Sequence, residues 1–368
     1  MKPQVPVERI DVSAYAIPTD VPEGDGTLEW DQTGMILVEI TAGGLTGTGW
    51  TYANPAGAGV ISGKLADVVQ GYDVMNVRGA FEAMVRATRN DMRPGLVSMA
   101  ISAVDIALWD LKARLLDLPL CRLLGAINED VPVYGSGGFT TYNETQLNTQ
   151  LSRWVFQQQI PRVKIKIGES WGTRVDRDLS RIEQARDLIG DDVELYVDAN
   201  GAYSRKQAIR VAEAALDFNV LWYEEPVSSD HLEGLREVRH AVLPDVAAGE
   251  YGYDIFYFQR MCAAEAVDCI QIDVTRCGGI TEWQRIAGVA NSHGLDVSGH
   301  CAPGLHIHVC AATHHLRHLE WFYDHERIET MLFDGLPDPT GGSVRPAESG
   351  PGHGLTFRRA DAERYRVS

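Results

Sequence analysis

From Val131 onward, short apolar runs alternate with segments of helical period: VPVYGSG, RVKIKIG, VELYVDA, VLWYEEP, VAAGEYG, DCIQIDV, LDVSGH and RHLEWF. Such runs read as buried strands, and the amphipathic stretches between them read as helices. The strands recur roughly every 26 residues, close to the about 30 of a strand–helix unit, and eight of them are what a closed parallel barrel needs. The last strand, near Arg317–Phe322, is followed by the Pro/Gly-rich GLPDPTGGSVRPAESGPGHG in place of a regular helix. The barrel is therefore expected to lack its final helix.

The earlier part of the chain has another rhythm. VERIDVSAYAIP and GMILVEITAGG alternate as hairpin strands, and GLTGTGWTYAN reads as a turn into a third. VSMAISAVDIALWDLKARLLDLPL then places apolar residues at intervals of three and four. Strands followed by helices indicate an α+β unit. The expected division is an α+β domain over 1–125, a barrel over 126–345, and a segment over 346–368 that returns to the first domain.

A chain of 368 residues with 45% hydrophobic content can bury a large core and exceeds the usual single-domain size. The formal charge of −18 argues against a nucleic-acid partner but not against a small anion, because local cations reverse the potential inside a pocket. The six cysteines show no CxxC spacing and read as buried, reduced thiols. MKPQVPVERIDVSAYAIP has no apolar signal core, and no run approaches the ~20 apolar residues of a membrane span. A soluble cytoplasmic protein without membrane contact is expected.

The candidate chemistry lies at the strand ends. Asp198, Glu224 and Glu250 close three successive strands with equal gaps. Taken singly they read as solvated rim acids. Facing one point they would repel strongly without a divalent cation, and their hard oxygens suit Mg²⁺. The cation would act as a Lewis acid towards a substrate oxygen, such as that of a carboxylate.

Lys164 and Lys166 lie two apart on one strand and point to the same side, into the barrel mouth. One ammonium beside the other is expected to bring a lysine down to about 7–8, where it can act as a base. Alternatively Lys164 only neutralises acids and Lys166 alone is catalytic. Asp273 and His300, from the sixth and seventh strands, are positioned to meet, the carboxylate holding one ring nitrogen and leaving the other free. Glu320 on the eighth strand would donate a proton if a dry pocket kept it neutral. Glu225 is expected to face the layer between barrel and helices.

Other signals carry less. Gly44-Leu45-Thr46-Gly47-Thr48-Gly49 lacks the helix of a dinucleotide site and reads as a turn. His306, His308, His314, His315 and His318 look like a metal tract, but spread along one helix they share no face. HExxH, GxSxG and P-loop motifs are absent from the sequence.

These residues resemble the enolase superfamily, in its mandelate racemase subgroup, where Lys or His bases work with Mg²⁺. The resemblance runs over nearly the whole chain, through SAVDIALWDLKAR, KIKIG, VDANGAYS, WYEEP, GE, Asp273 with the following GG, SGH and LEW. It implies an α/β fold, a (β/α)7β modified TIM barrel under an N-terminal α+β capping domain. It also implies Mg²⁺ on Asp198, Glu224 and Glu250 with Asn200 supporting the metal shell. Lys166 becomes one acid/base group tuned by Lys164, the His300–Asp273 dyad works from the opposite face, and Glu320 assists the enolate. Arg276 is a departure, since a lysine often sits three residues after the dyad aspartate. Assembly into homo-oligomers is common in the family.

Members abstract the proton next to a carboxylate and differ in what becomes of the enediolate. Dehydration of a sugar acid to a 2-keto-3-deoxy acid ranks first; a racemase or epimerase and a lactone cycloisomerase are alternatives. Specificity is expected in cap loops near 18–33 and 50–60, with Trp30 and Tyr52, and at the mouth around Thr140, Tyr142, Trp321, Asp324 and His325. The cap loops carry Asp20, Glu23, Asp25, Glu29 and Asp31 and no Lys or Arg, which favours a monocarboxylate over a diacid. A non-catalytic binding protein would have lost a ligand or base, and a zinc hydrolase would need an HxH on the first barrel strand; VPVYGSG has none.

Overall fold

The computed structural model describes residues 4–348 and 350–368. Strands β1 (Arg9–Gly24), β2 (Glu29–Ala42) and β3 (Leu45–Tyr52) form an antiparallel sheet in that order. Residues 18–33, expected as a loop, are mostly hairpin: β1 and β2 stay paired out to Gly24 and Glu29, with a register shift between Pro18 and Glu23. That shift twists the hairpin tip over the barrel mouth, and Thr140 fastens it by donating its hydroxyl to the Asp25 carbonyl at 2.7 Å.

The glycine-rich segment corrects the sequence reading. Gly43 and Gly44 make the turn at φ 57 and 78, whereas Gly47 and Gly49 lie inside β3 against the helix Leu96–Leu115. A Cβ on Gly47 would lie 2.4 Å from the Ala107 carbonyl oxygen, and one on Gly49 2.4 Å from that of Ala103. Only glycine lets the strand approach this closely.

The helix Leu96–Leu115 is buried on almost every side because it lies between the cap sheet and the barrel. Asp105 accepts from Thr281 N at 2.9 Å and from its hydroxyl at 2.6 Å, and Ser102 Oγ accepts from Gly278 N at 2.9 Å. Thr51 of β3 donates to the Thr275 carbonyl at 2.8 Å. The cap is thereby keyed to the loop that carries Arg276.

Strands β4 (Val131–Gly137), β5 (Arg162–Lys166), β6 (Glu194–Asp198), β7 (Val220–Glu224), β8 (Asp245–Ala248), β9 (Cys269–Ile272), β10 (Asp296–Gly299) and β11 (Leu316–Phe322) run parallel. Pairing of β11 with β4, Glu320 opposite Tyr134, closes the ring. This is a modified TIM barrel with an N-terminal cap. Inward residues alternate along each strand, so the interior is layered. Its floor is aromatic: Tyr134, Tyr196, Trp222 and His318 pack ring against ring. Above the floor come Lys164, Glu224 and Glu320, and above those the mouth.

Two expectations about the last third are corrected. A helix does follow the eighth barrel strand, Tyr323–Leu332, with Ile328 and Leu332 buried one turn apart; the Pro/Gly run only begins at Gly335. The histidines do not share one helix either. His306 and His308 lie on Pro303–Ala311, His314 and His315 in the turn after it, and His318 inside the barrel on β11. His306 accepts from Val274 N at 2.8 Å, and His308 Nε2 lies 3.0 Å from the His353 carbonyl oxygen.

At the chain's end Ala14 N donates to the Ser368 carbonyl at 2.9 Å and Val367 N to the Ala14 carbonyl at 2.8 Å. All six cysteines are buried and unpaired. Among the described residues no helix is long and apolar enough to cross a membrane.

Candidate active site

The mouth of the barrel gathers what the strand ends promise. Asp198, Glu224 and Glu250 each present an oxygen, all three within 4.8 Å of one another and all buried. Asn200 N donates to Asp198 Oδ1 at 2.9 Å and holds that carboxylate still. The Asn200 side-chain oxygen is itself buried without a hydrogen-bond partner.

The two lysines sit at different depths. Lys164, fully buried, donates to both oxygens of Glu224 at 2.6 Å and lies 2.8 Å from Glu320 Oε1. Lys166 is one layer higher, donates to Asp198 Oδ2 at 2.5 Å and borders the cavity. The expected depression of their pKa values is not what the protein's own charges produce. Burial lowers both, but Glu224, Glu320 and Asp198 raise Lys164 well above its ordinary value, and Asp198 outweighs the Lys164 ammonium in raising Lys166. The carboxylates that keep the lysines charged include the three that would hold a cation.

Glu320 also differs from its sequence reading. Burial pushes its carboxyl up, but Lys164, His300 and Lys166 outweigh that and hold it well below the ordinary range. It accepts from Ser136 Oγ at 2.6 Å and from Cys301 N at 3.1 Å. Every one of these partners is a donor, so Glu320 is placed as an acceptor, in contrast to the proton donor expected. Burial and the neighbouring Asp198 push Glu224 the other way, up to about 8.

On the far side, His300 Nδ1 lies 2.8 Å from Asp273 Oδ2. Asp273 Oδ1 is fixed by the Thr275 amide and hydroxyl, both at 2.7 Å. His300 Nε2 faces Glu250 Oε2 at 3.1 Å. Burial lowers the imidazole, but Cys301, Glu250, Glu320 and Asp273 raise it well above its ordinary value. Arg276 approaches Glu250 and Asp273, each at 3.4 Å, and so braces the dyad against the carboxylate cluster.

These groups open into a cavity of about 280 Å³ between barrel and cap. Of the nominated specificity residues, Trp30, Tyr52, Arg276, Asp324 and His325 line it, together with Asn200. Trp30 Nε1 donates to Glu23 Oε2 at 3.0 Å, and Tyr52 stacks on His325 with ring centroids 3.5 Å apart. Three nominations are corrected. Trp321 follows the inward Glu320 on β11, so alternation turns it outward into the core, where it is fully buried. Thr140 is spent on the Asp25 carbonyl. Tyr142 packs against Phe139 and offers its carbonyl to Arg177 and Arg181.

Glu225 borders a space that the helix Ile255–Ala263 also walls, through Tyr257 and Arg260. Its backbone has φ 36, and its buried carboxyl borders the space shared by Asn200 and Tyr251, raised by burial and then by Glu250 and Asp198. Asp25, Gln32, Tyr251 and Cys301 also line the cavity, beyond the substrate-binding residues expected from the sequence. The adjacency of Cys301 to His300 was the one signal available for that thiol.

Two family models match: "Mandelate racemase / muconate lactonizing enzyme, N-terminal domain" over residues 25–125 and "Enolase C-terminal domain-like" over 146–362. An L-talarate/galactarate dehydratase from Salmonella typhimurium is 31% identical over 345 residues, covering 89% of this chain and 85% of that protein. Other relatives are named as sugar-acid dehydratases and cycloisomerases. A mandelate racemase/muconate lactonizing enzyme-like protein from Rubrobacter xylanophilus superposes with a TM-score of 0.95 at 48% identity, covering 98% of this chain and 100% of that one. A racemase from Streptomyces coelicolor with bound magnesium superposes at 0.92 and 28% identity, over 98% of this chain and 100% of that one.

Proposed function

The chain belongs to the mandelate racemase/muconate lactonizing enzyme family of enolase-like enzymes, and we propose that it dehydrates a monocarboxylate sugar acid to a 2-keto-3-deoxy acid. The observation that carries this reading is the placement of Lys166 and of the Asp273-held His300 on strands β5 and just beyond β10, both bordering one cavity that Glu250 of the carboxylate cluster also lines.

The residues fit Mg²⁺: three buried carboxylates converge, all donors are hard oxygens, and the Asn200 side-chain oxygen beside them is unspent. Asp198, Glu224 and Glu250 would hold the ion. When bound there, it supplies Lewis-acid polarisation of the substrate carboxylate, worth several kcal/mol, and takes up the carboxylate charge beside Lys166. Lys166 then removes the proton next to that carboxylate. His300, its Nδ1–H held by Asp273 and its ring in the protonated form that the surrounding carboxylates favour, gives its Nε2 proton to the departing β-hydroxyl, which leaves as water. Lys164 stays paired with Glu224 and Glu320 and keeps the layer beneath neutral enough to bury.

Support for a monocarboxylate comes from the cap side of the cavity. Asp25, Gln32, Thr33 and Asp324 line it, whereas Lys166, Arg276 and His300 stand at the opposite end facing carboxylates. Burial and the Asp324 charge push Glu23, beneath Trp30, up to about 9. Such a wall suits hydroxyl groups and disfavours a second carboxylate.

The test is a library of sugar mono- and diacids assayed with Mg²⁺ for 2-keto acid formation and for α-proton exchange in D₂O. Keto acid from a monoacid, lost in His300→Asn, is the expected result. Exchange without keto acid would replace dehydration by racemisation or epimerisation, and turnover of diacids alone would overturn the substrate class.

A further inference from the structure

Beside the hard-oxygen cluster lies a second convergence of donors with a different chemical character. Cys301 Sγ is 3.3 Å from His300 Nε2 and 3.4 Å from Glu320 Oε2, and those two atoms are 3.7 Å apart. All three residues are buried, and His300 and Cys301 border the cavity. A tetrahedral Zn²⁺ with bonds of about 2.0–2.3 Å spans ligand–ligand edges of roughly 3.3–3.6 Å. The triangle of Nε2, Sγ and Oε2 is therefore already close to one face of that tetrahedron.

The surroundings are those of a built site. His300 carries a carboxylate on its other ring nitrogen, Asp273 at 2.8 Å, the arrangement that orients a metal-binding imidazole. Asp273 is in turn fixed by Thr275. Glu320 is held through its other oxygen by Ser136 and Lys164. The backbone at Cys301 is left-handed, φ 54, and the thiol contacts both His300 and Glu320. One nitrogen, one sulfur and one oxygen select a borderline-soft ion such as Zn²⁺ over Mg²⁺, which takes oxygen donors.

We propose that His300, Cys301 and Glu320 form a second metal site, distinct in donor set from the carboxylate cluster, that takes Zn²⁺ or a chemically similar transition-metal ion; Glu250 Oε2, 3.1 Å from His300 Nε2, is the point where the two sets adjoin. Binding breaks the Cys301 S–H bond and releases its proton, with any proton on His300 Nε2, to the buffer; the Sγ–Zn and Nε2–Zn bonds form without redox change. Because the site consumes Nε2, a bound Zn²⁺ removes His300 from proton transfer. The thiol thus makes the pocket sensitive to soft metals, whatever substrate the pocket takes.

The experiment uses the full chain in excess Mg²⁺, with Zn²⁺ and Co²⁺ as probes. X-ray absorption at the Zn edge of the unaltered protein is expected to show one sulfur at about 2.3 Å. Co²⁺ is expected to give a thiolate charge-transfer band in the near ultraviolet that Cys301→Ser abolishes. The same substitution should weaken Zn²⁺ binding at least about 100-fold, more than loss of an outer partner does. A shell of nitrogen and oxygen only, a charge-transfer band that persists in Cys301→Ser, or unchanged Zn²⁺ affinity would each overturn the proposal. The absorption measurement needs no variant, and none of the readouts depends on turnover, so their failure is separable from failure of the proposed dehydration.

Discussion

His300 Nδ1 and Asp273 Oδ2 are 2.8 Å apart, although each lies at the end of its own barrel strand. The contact fixes which ring nitrogen faces the cavity. Asp273→Asn keeps the shape but offers an amide whose donor group can face Nδ1, so the ring can settle in the wrong tautomer. We expect kcat to fall by about 10²–10⁴ with KM nearly unchanged, read by steady-state kinetics on the substrate that the library screen returns.

Mg²⁺ should stabilise the fold as well as serve the chemistry. Three buried carboxylates facing one point repel, and an ion that binds only the folded chain adds about 2.7 kcal/mol at a hundredfold excess over its Kd. Thermal scans with and without EDTA should show a Tm that rises with Mg²⁺ concentration. Glu224→Gln should blunt that rise, and chelation should abolish turnover.

The close approach of β3 to the helix Leu96–Leu115 is a stability determinant. Gly49→Val sets a branched side chain against the Ala103 carbonyl, with no flexible neighbour to yield. A loss of about 3 kcal/mol or more is expected, the upper end for overpacking. Gly59→Ala, where nothing lies within 4 Å of the added carbon, should be neutral or stabilising by up to about 1 kcal/mol. Urea unfolding of the two variants beside the unaltered chain checks both.

His308 makes the fold sensitive to acid. Burial, then the neighbouring His353, lower its pKa to about 3, against an ordinary value near 6.5. As pH falls through 6.5 the unfolded chain takes a proton that the folded one refuses, so stability falls with pH across the window from about 6.5 to 3. At pH 5.5 the loss approaches about 1.4 kcal/mol and grows below that. His308→Gln, starting from a lower stability, should show a flatter decline of Tm between pH 7 and 5.

The barrel was legible because each of its strands is a buried apolar run of the right length, and runs of that kind survive in the sequence. Acids and bases at the run ends were legible for the same reason. What failed depended on direction or on partners from other strands. The alternation that put Lys164 and Lys166 on one side also turns Trp321 away from Glu320. Thr140 and Tyr142 lie where the chain has left the strand, and no periodicity reports where such side chains point. The acceptor role of Glu320 depends on Lys164, more than 150 positions earlier in the sequence. The helix Tyr323–Leu332 was hidden by the Pro/Gly run that begins just beyond it. Its YDHERIETML pattern already carried the four-residue spacing.

Closure of the ring between β11 and β4 has a consequence during synthesis. The carboxylates of β6, β7 and the residues just past β8 are neighbours in the chain, so their part of the wall can assemble as one early block. Glu320 arrives only when the last strand docks beside the first, with Glu320 opposite Tyr134. Long-range pairing of this kind is slow compared with local contacts. A nascent chain therefore carries Asp198, Glu224 and Glu250 before it can complete the layer that buries Lys164, and the finished pocket appears only at ring closure.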